Sequence, residues 1–321
     1  MPMANALPDF NPDREKLATI KAAIAAYNAD RTGADSRAMR NAALFLIPYA
    51  IAVVAIAFLL LPGKDSHDFP WTAYWIGLAV AAGGSAKVWE FAWSPVKRLQ
   101  QETRSRLVPV ICGFVENIRY DNKAVPAFMQ HLPEEALVLH DRVEHDDLIS
   151  GCLDGMDFEL GEVIFWVKTG KRSEARAFEG VIFHCLAKTA FPGQLIASQK
   201  TTWLSRFGWG GKSKELSDVA CANKRIDEMY EFRSDHPEAA AGLVNGALTT
   251  IILWLSENWP DGLARISLSG NQIILFVPTN TNHFEMPSIS TELDYDQHVR
   301  PMTGQLWRLL STGKLIRDIL N

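Results

Sequence analysis

The strongest constraint on this chain is the run NAALFLIPYAIAVVAIAFLLLP, from Asn41 to Pro62, which contains no charged residue. At 1.5 Å per residue, about 21 helical residues reach roughly 31 Å, the thickness of the hydrocarbon core of a bilayer. A helix that is apolar all round has no face to offer water, so the run predicts a membrane span over about 42–62. Pro48 lies inside it, where a membrane helix tolerates proline with a kink. About 40 polar residues precede the run, and its length exceeds the apolar core of a signal peptide, so a retained span is expected and not a cleaved leader.

A second stretch, WTAYWIGLAVAAGGSAKVWEFAW from Trp71 to Trp93, is uncharged for 16 residues before Lys87. That alone falls short of the roughly 20 residues a span needs. Its borders extend it. Trp71, Tyr74 and Trp75 mark one interface and Trp89 and Trp93 the other, where amphipathic rings settle. Lys87 can carry its ammonium to the headgroups and pair with Glu90 three residues on. Gly77, Gly83 and Gly84 allow another helix to approach closely. Orientation follows from the basic residues: Arg31, Arg37 and Arg40 precede the first span, and Lys97, Arg98, Arg104 and Arg106 follow the second. Only Lys64 lies between them, so both termini are expected in the cytosol.

Before the spans, Leu17, Ile20, Ile24 and Tyr27 fall at helical spacing, with charges opposite. Acids and bases mix on that polar face, which favours packing on protein over lying on lipid. After the spans, Ser94 and Pro95 open a helix, and Pro109 disturbs it. From about Arg119 the pattern becomes strand-like through GMDFELGEVIFWV, AFEGVIFHCLA and PGQLIAS. HPEAAAGLVNGALTTIILWLSENW reads as a helix whose apolar part is too short to span. LARISLSGNQIILFVP reads as a hairpin turning at Ser269, Gly270 and Asn271, and Asp294 to Asn321 as a helix interrupted by Pro301 and Gly313. The expected fold is therefore α+β: a two-helix transmembrane hairpin, then a mixed, mainly antiparallel sheet domain with packed helices. The expected divisions are 1–40 (amphipathic helix), 41–94 (hairpin, spans about 42–62 and 71–93) and 95–321 (sheet domain).

A formal net charge of −5 gives no global basic field, and no local patch suits a nucleic acid, so none is expected as a partner. Cys112, Cys152, Cys185 and Cys221 are far apart and form no CxxC pair, which argues for reduced thiols and against a zinc or disulfide framework.

Several motifs resemble a bacterial family of two-span, membrane-anchored proteins known only as a domain of unknown function. They are DDLISG followed by GMDFELGEV (Asp146 to Val163), FEGVIF (Phe178 to Phe183), IDEMYEFRSDHPEA (Ile226 to Ala239) and a late Phe284-Glu285. Their order and spacing carry the resemblance across most of 95–321. The family usually places Phe where Ile226 stands, and a Leu-Thr-Pro element where this chain has GLVNGAL. The resemblance implies an anchored α+β architecture and a bacterial inner-membrane location; it brings no activity, cofactor or catalytic residue with it.

The densest set of candidate metal ligands is HDRVEHDD, His140 to Asp147, in which His140, His145, Asp146 and Asp147 offer nitrogen and oxygen donors. Consecutive side chains of an extended segment diverge, however, and a solvated acidic turn before a strand accounts for the same residues. GWGGKSKE, Gly208 to Glu215, imitates a phosphate loop but has Arg206 where the motif needs glycine. His184 and Cys185 are adjacent, and alternation on a strand sends them to opposite faces. Ser150 and Ser267 lack the sequence of a nucleophile elbow, and His283 beside Phe284 and Glu285 reads as an ordinary loop. With no complete catalytic set and no cofactor motif, the expectation is a non-enzymatic binding or scaffold module at the cytosolic face of the inner membrane. The lipid bilayer is its first partner, and a protein partner or a second copy would meet it through the hairpin. The alternatives are a membrane-bound metal-dependent hydrolase and an accessory subunit of a membrane complex.

Overall fold

The computed structural model describes residues 11–60, 71–122, 124–132, 138, 140–170, 173–200, 216–259, 261–280, 287 and 291–320. The chain forms two compact units: Ala18–Leu107 with Met286–His298, and Met1–Leu17 with Val108–Glu285 and Val299–Asn321.

The first unit is built on α1, which runs from Arg14 to Leu60 over 47 residues, about 70 Å at helical rise. The N-terminal amphipathic helix and the apolar run are thus one helix. Nothing between them stops it, since residues 28–40 contain no proline and a single glycine, Gly33. Its two halves differ in burial. Ile20, Ile24, Tyr27, Ala34 and Ala38 are buried, whereas Leu44, Ile47, Ile51 and Val54 are 60%, 58%, 64% and 67% exposed. Asn28 anchors the early half to the 286–298 segment: its Nδ2 donates to the Leu293 carbonyl at 2.8 Å and its Oδ1 accepts from the Leu293 N–H at 3.0 Å.

Helices α2 (Trp71–Ala92) and α3 (Ser94–Ile111) follow, with Trp93 between them. Phe45 meets Phe91 edge-on at 5.3 Å, and a Cβ on Gly84 would stand 2.1 Å from the Tyr49 hydroxyl. Ala34 and Ala38 cluster with Val96, against which Trp93 and Leu99 pack. Later positions of α1 therefore meet earlier positions of α2 and α3, as in antiparallel packing. Of the glycines expected to admit a neighbour, Gly84 admits Tyr49, and Gly83 has nothing within 4 Å. The surroundings of Gly77, the side chains of Trp71, Tyr74 and Trp75, and Lys64 lie outside the described residues. Lys87 pairs with Glu90 at 3.3 Å. Ser94 and Pro95 open α3 as expected, and Pro109 falls in its last turn.

The second unit is a nine-stranded sheet flanked by helices. Its strands are β1 (Glu116–Asn122), β2 (Arg142–Leu153), β3 (Met156–Lys168), β4 (Glu174–Leu186), β5 (Gln194–Gln199), β6 (Ser217–Asp218), β7 (Tyr230–Ser234), β8 (Arg265–Ser269) and β9 (Gln272–Pro278). They lie in the order β1-β2-β3-β4-β9-β8-β5-β7-β6. Each pairing is antiparallel, so the described sheet is antiparallel throughout rather than mixed. Asp154 and Gly155 close the β2–β3 hairpin with φ of 49° and 72°, the paired left-handed conformation of a type I′ turn. The β8–β9 hairpin turns at Gly270 and Asn271, as its sequence predicts.

Alternation along the strands sorts the core onto two faces. On one, Val163, Phe165, Phe178, Ile182, Ile196, Ile274 and Phe276 surround Phe128, which enters from the short 3-10 turn Ala127–His131. On the other, Phe158, Leu160, Val181, Phe183 and Leu275 are buried. Here α7 (Arg300–Asp318) packs so closely that a Cβ on Gly313 would stand 2.1 Å from a Phe183 ring carbon. Gly313 is thus a packing contact, and Pro301 sits in the first turn, where its missing N–H breaks no helical bond; neither interrupts the helix. Helix α4 (Lys224–Met229) precedes β7. The single helix expected after it divides into α5 (Pro237–Val244) and α6 (Ala247–Asn258), bent by 53°. The Asn245 side chain supplies the reason. It accepts from the Ala222 N–H at 2.7 Å and donates to the Ala220 carbonyl at 3.2 Å, fastening the joint to the chain before α4.

Candidate functional site

Strands β2 and β3 pair residue for residue from Arg142 with Trp166 to His145 with Val163, and again from Leu148 with Gly161. Between these stretches Asp146 and Asp147 stand opposite Glu162 alone, a bulge of two residues against one. Regular alternation would send the two aspartates to opposite faces. The bulge instead brings both to Glu162, with one carboxylate oxygen from each of the three within 4.8 Å of the others. Asp147 is 1% and Glu162 8% exposed. Tyr120 of β1 donates its hydroxyl to Asp147 Oδ1.

An open cleft of about 320 Å³ lies at the bulge, lined by Glu144, His145, Asp146, Glu162, Val163, Ile164, Glu179, Gly180 and Thr279. Gly180 shapes its rim. A Cβ there would stand 2.2 Å from the Val277 carbonyl oxygen, so only glycine lets β4 lie this close to β9, and Thr279, one residue past β9, donates its N–H to the Glu179 carbonyl at 3.1 Å. Exposed charges continue along the same face. Arg142 donates to Glu174 at 2.8 Å and also to Glu144, and Arg176 pairs with Glu179. The two guanidiniums lie 5.0 and 5.4 Å from the Trp166 ring centroid. The Arg142 hydrogen bond holds the Glu144 carboxyl below the usual carboxylate range.

The four residues singled out from the sequence do not gather as a set. By register the His145 side chain shares the face of Val163 and the Phe128 cluster, opposite to that of Glu162. Its Nδ1 is buried with no hydrogen-bond partner among the described residues. His140 stacks on Phe165 at 4.3 Å and bonds the Val138 carbonyl through Nδ1 at 2.9 Å. The structure thus unites Asp146 and Asp147, adds Glu162, and turns both histidines to the apolar face. Glu162 had a signal in the sequence: an acid in the middle of GMDFELGEVIFWV, where a buried strand has apolar residues on both sides.

His184 and Cys185 point to opposite faces. His184 stacks on His131 at 5.9 Å and donates from Nε2 to Gln272 Oε1 at 2.6 Å. Cys185 is buried, and burial pushes its thiol up to about 12, as it does for Cys112. Neither thiol is a ready thiolate nucleophile. The GWGGKSKE segment and His283 to Glu285 lie outside the described residues.

Burial lowers the pKa of His145 and of His184 below the ordinary 6.5. For His184 a hydrogen bond to Gln272 and the nearby Glu159 charge work against burial, and His131 adds to it. Below pH 6.5 the unfolded chain takes up protons that the folded chain refuses, so stability present above 6.5 is lost as pH falls toward the depressed native values. The expected result is a melting temperature that declines from pH 6.5 downward, with a shallower decline in His145→Leu. Thermal melts of both proteins across that range check it; parallel curves would reject burial of a neutral His145.

Residues 176–314 match the family described as a protein of unknown function, DUF3137. The DUF3137 match runs from β4 into α7. It takes in FEGVIF, IDEMYEFRSDHPEA and Phe284-Glu285, whereas DDLISG and GMDFELGEV precede it. Glu179, Gly180 and Thr279 of the cleft fall within the match, and the carboxylate bulge lies before it. Among solved structures, the crystal structure of the mycobacterial trehalose monomycolate transport factor A, TtfA, is similar at a TM-score of 0.33 and 10% identity, over 66% of this chain and 93% of that one. No curated protein matches.

Proposed function

We propose that the protein is anchored in the bacterial inner membrane by a hairpin of the apolar half of α1 and α2, with both termini in the cytosol. The sheet domain is then a non-enzymatic binding module held at the cytosolic face. The observation that carries this reading is the exposure of α1. Its 18-residue apolar window has a mean hydropathy of 1.6 and is 11% buried. A core helix of that composition buries its apolar surface, whereas a bilayer takes up the same surface without a protein partner. Further support comes from α2: Gly84 receives Tyr49, Phe91 receives Phe45, and Trp89 stands 53% exposed beside Trp93 at a border of the apolar region. Carbonate washing and flotation of membranes from cells expressing the full chain test it. The protein stays with the lipid; release into the soluble fraction would overturn the anchored reading.

A second reading rests on the bulge. Three carboxylates with oxygens within 4.8 Å suit a hard divalent cation such as Mg²⁺, Ca²⁺ or Mn²⁺, and an all-oxygen set gives little preference for zinc. The sequence alternative of a metal-dependent hydrolase thereby narrows to a cation site without the histidines. In the purified full chain, Asp147→Asn weakens Mn²⁺ binding by roughly tenfold or more, the loss of one charged contact, while His145→Leu leaves it unchanged. Isothermal titration measures both, and equal binding by Asp147→Asn and the parent chain rejects this site.

A further inference from the structure

We infer that the turn Ala127–His131 is an acid-released plug. Glu159 of β3 and His184 of β4 clasp it at its two ends, and protonation of the stacked His131 and His184 rings frees it from the apolar face it covers.

The clasp is one cross-strand pair. Glu159 and His184 stand directly opposite each other in the β3–β4 register. Glu159 Oε2 accepts the Phe128 N–H at 3.1 Å. At the other end of the turn the His131 ring stacks on that of His184, with centroids 5.9 Å and planes 21° apart. Between the two, Phe128 fills the space bounded by Val163, Phe165, Phe178, Ile182, Ile274 and Phe276. The turn belongs to no strand, so it can leave while the ladders on both sides of β3 and β4 stay paired. Its departure uncovers that apolar surface.

The proton has a defined place to go. His184 donates from Nε2 to Gln272 Oε1 at 2.6 Å, so the neutral ring carries its hydrogen on Nε2 and takes up a second one at Nδ1. Two imidazolium rings stacked at this distance repel. Burial, the largest influence, and His131 both oppose a charged His184, while the Gln272 hydrogen bond and the Glu159 carboxylate favour it. The remaining cross-strand neighbours carry no charge: Ile274 lies opposite His184 on β9, and Ser150 opposite Glu159 on β2. The balance holds His184 below the ordinary 6.5 while the turn is closed. With the turn open, the ring meets water and is parted from His131, so the open form accepts a proton that the closed form refuses. Above 6.5 both forms are neutral and opening does not depend on pH. Below it the open fraction rises, by up to about tenfold per pH unit, until the depressed closed-form value is reached.

Hydrogen exchange of the full chain in detergent micelles tests this, read by mass spectrometry from about pH 7.5 to about 5.5 and corrected for the intrinsic pH dependence of exchange. The reporters are the Phe128 and Met129 amides, bonded to Glu159 and to the Pro126 carbonyl. In the parent chain they lose protection by roughly tenfold at the acid end, while the amides of β5 and β7 keep theirs. His184→Gln abolishes that response, and His131→Gln reduces it to about threefold or less. His145→Leu, which removes a different buried imidazole of the same face, leaves it intact. A dye that fluoresces on apolar surface brightens with the same pH dependence in the parent and not in His184→Gln. His131 is exposed, so its replacement decides the matter even where His184→Gln fails to fold. Protection that does not change with pH overturns the plug, as does a His131→Gln chain that responds like the parent. A loss shared equally by β5 and β7 overturns it too, because the whole domain would then be loosening.

Discussion

Replacing Phe128 by alanine lowers the stability of the sheet domain by about 3–5 kcal/mol, the cost of emptying an aromatic site in a closed core. Phe128 is fully buried, yet it comes from a five-residue 3-10 turn and from no strand of the sheet. Its ring fills the centre of the cluster formed by Val163, Phe165, Phe178, Ile182 and Phe276. Gly161 makes room for it: a Cβ there would stand 3.3 Å from the ring. The Phe128 N–H donates to Glu159 Oε2 at 3.1 Å, which ties the turn to β3. The strands around the ring cannot close over the gap, because their register is fixed by hydrogen bonds on both sides of β3 and β4. Chemical denaturation of the full chain, followed by aromatic fluorescence, measures the loss. Phe128→Leu costs markedly less, and a loss under about 1 kcal/mol for alanine would mean that the turn does not close this face.

Ile51→Arg has a comparable effect on a different equilibrium. Ile51 lies near the middle of the apolar half of α1 and is 64% exposed. An arginine at the centre of a membrane helix costs about 2.5–3.5 kcal/mol on insertion scales, and the isoleucine it replaces contributes a few tenths in the opposite direction. The inserted fraction should fall by roughly a hundredfold relative to the parent for a lone, marginal span, and by less if α2 assists it. Glycosylation-site or protease-protection mapping in membranes reads the fraction directly. A surface helix of a water-soluble protein would accept the same arginine within about 0.5 kcal/mol.

The parts of this protein that were legible in its sequence are those set by local composition. The charge-free run, the strand alternation of β3 and β4, the Gly270–Asn271 turn and the opposed His184 and Cys185 all follow from residues a few positions apart. What could not be read depends on distant partners. Asp146 and Asp147 look like divergent neighbours until Glu162, fifteen positions after Asp147, fixes the bulge in register. His140 and His145 look like ligands until Phe165 and Val163 show which face they share. The break between α5 and α6 depends on Asn245 reaching back to Ala220 and Ala222. Gly313 resembles a helix breaker when read along the chain, and is a contact point once Phe183 is beneath it.

On the anchored reading, α1 and α2 together carry the chain into the membrane and back, leaving the sheet domain in the cytosol. The most direct test of that reading is a reporter that is active only outside the cytosol, fused after Asn321 in the full chain. An inactive fusion, in cells where the protein resists carbonate extraction, is the predicted result. Strong activity would contradict it, because α2 would then fail to return the chain and the carboxylate cleft would face the other side of the membrane.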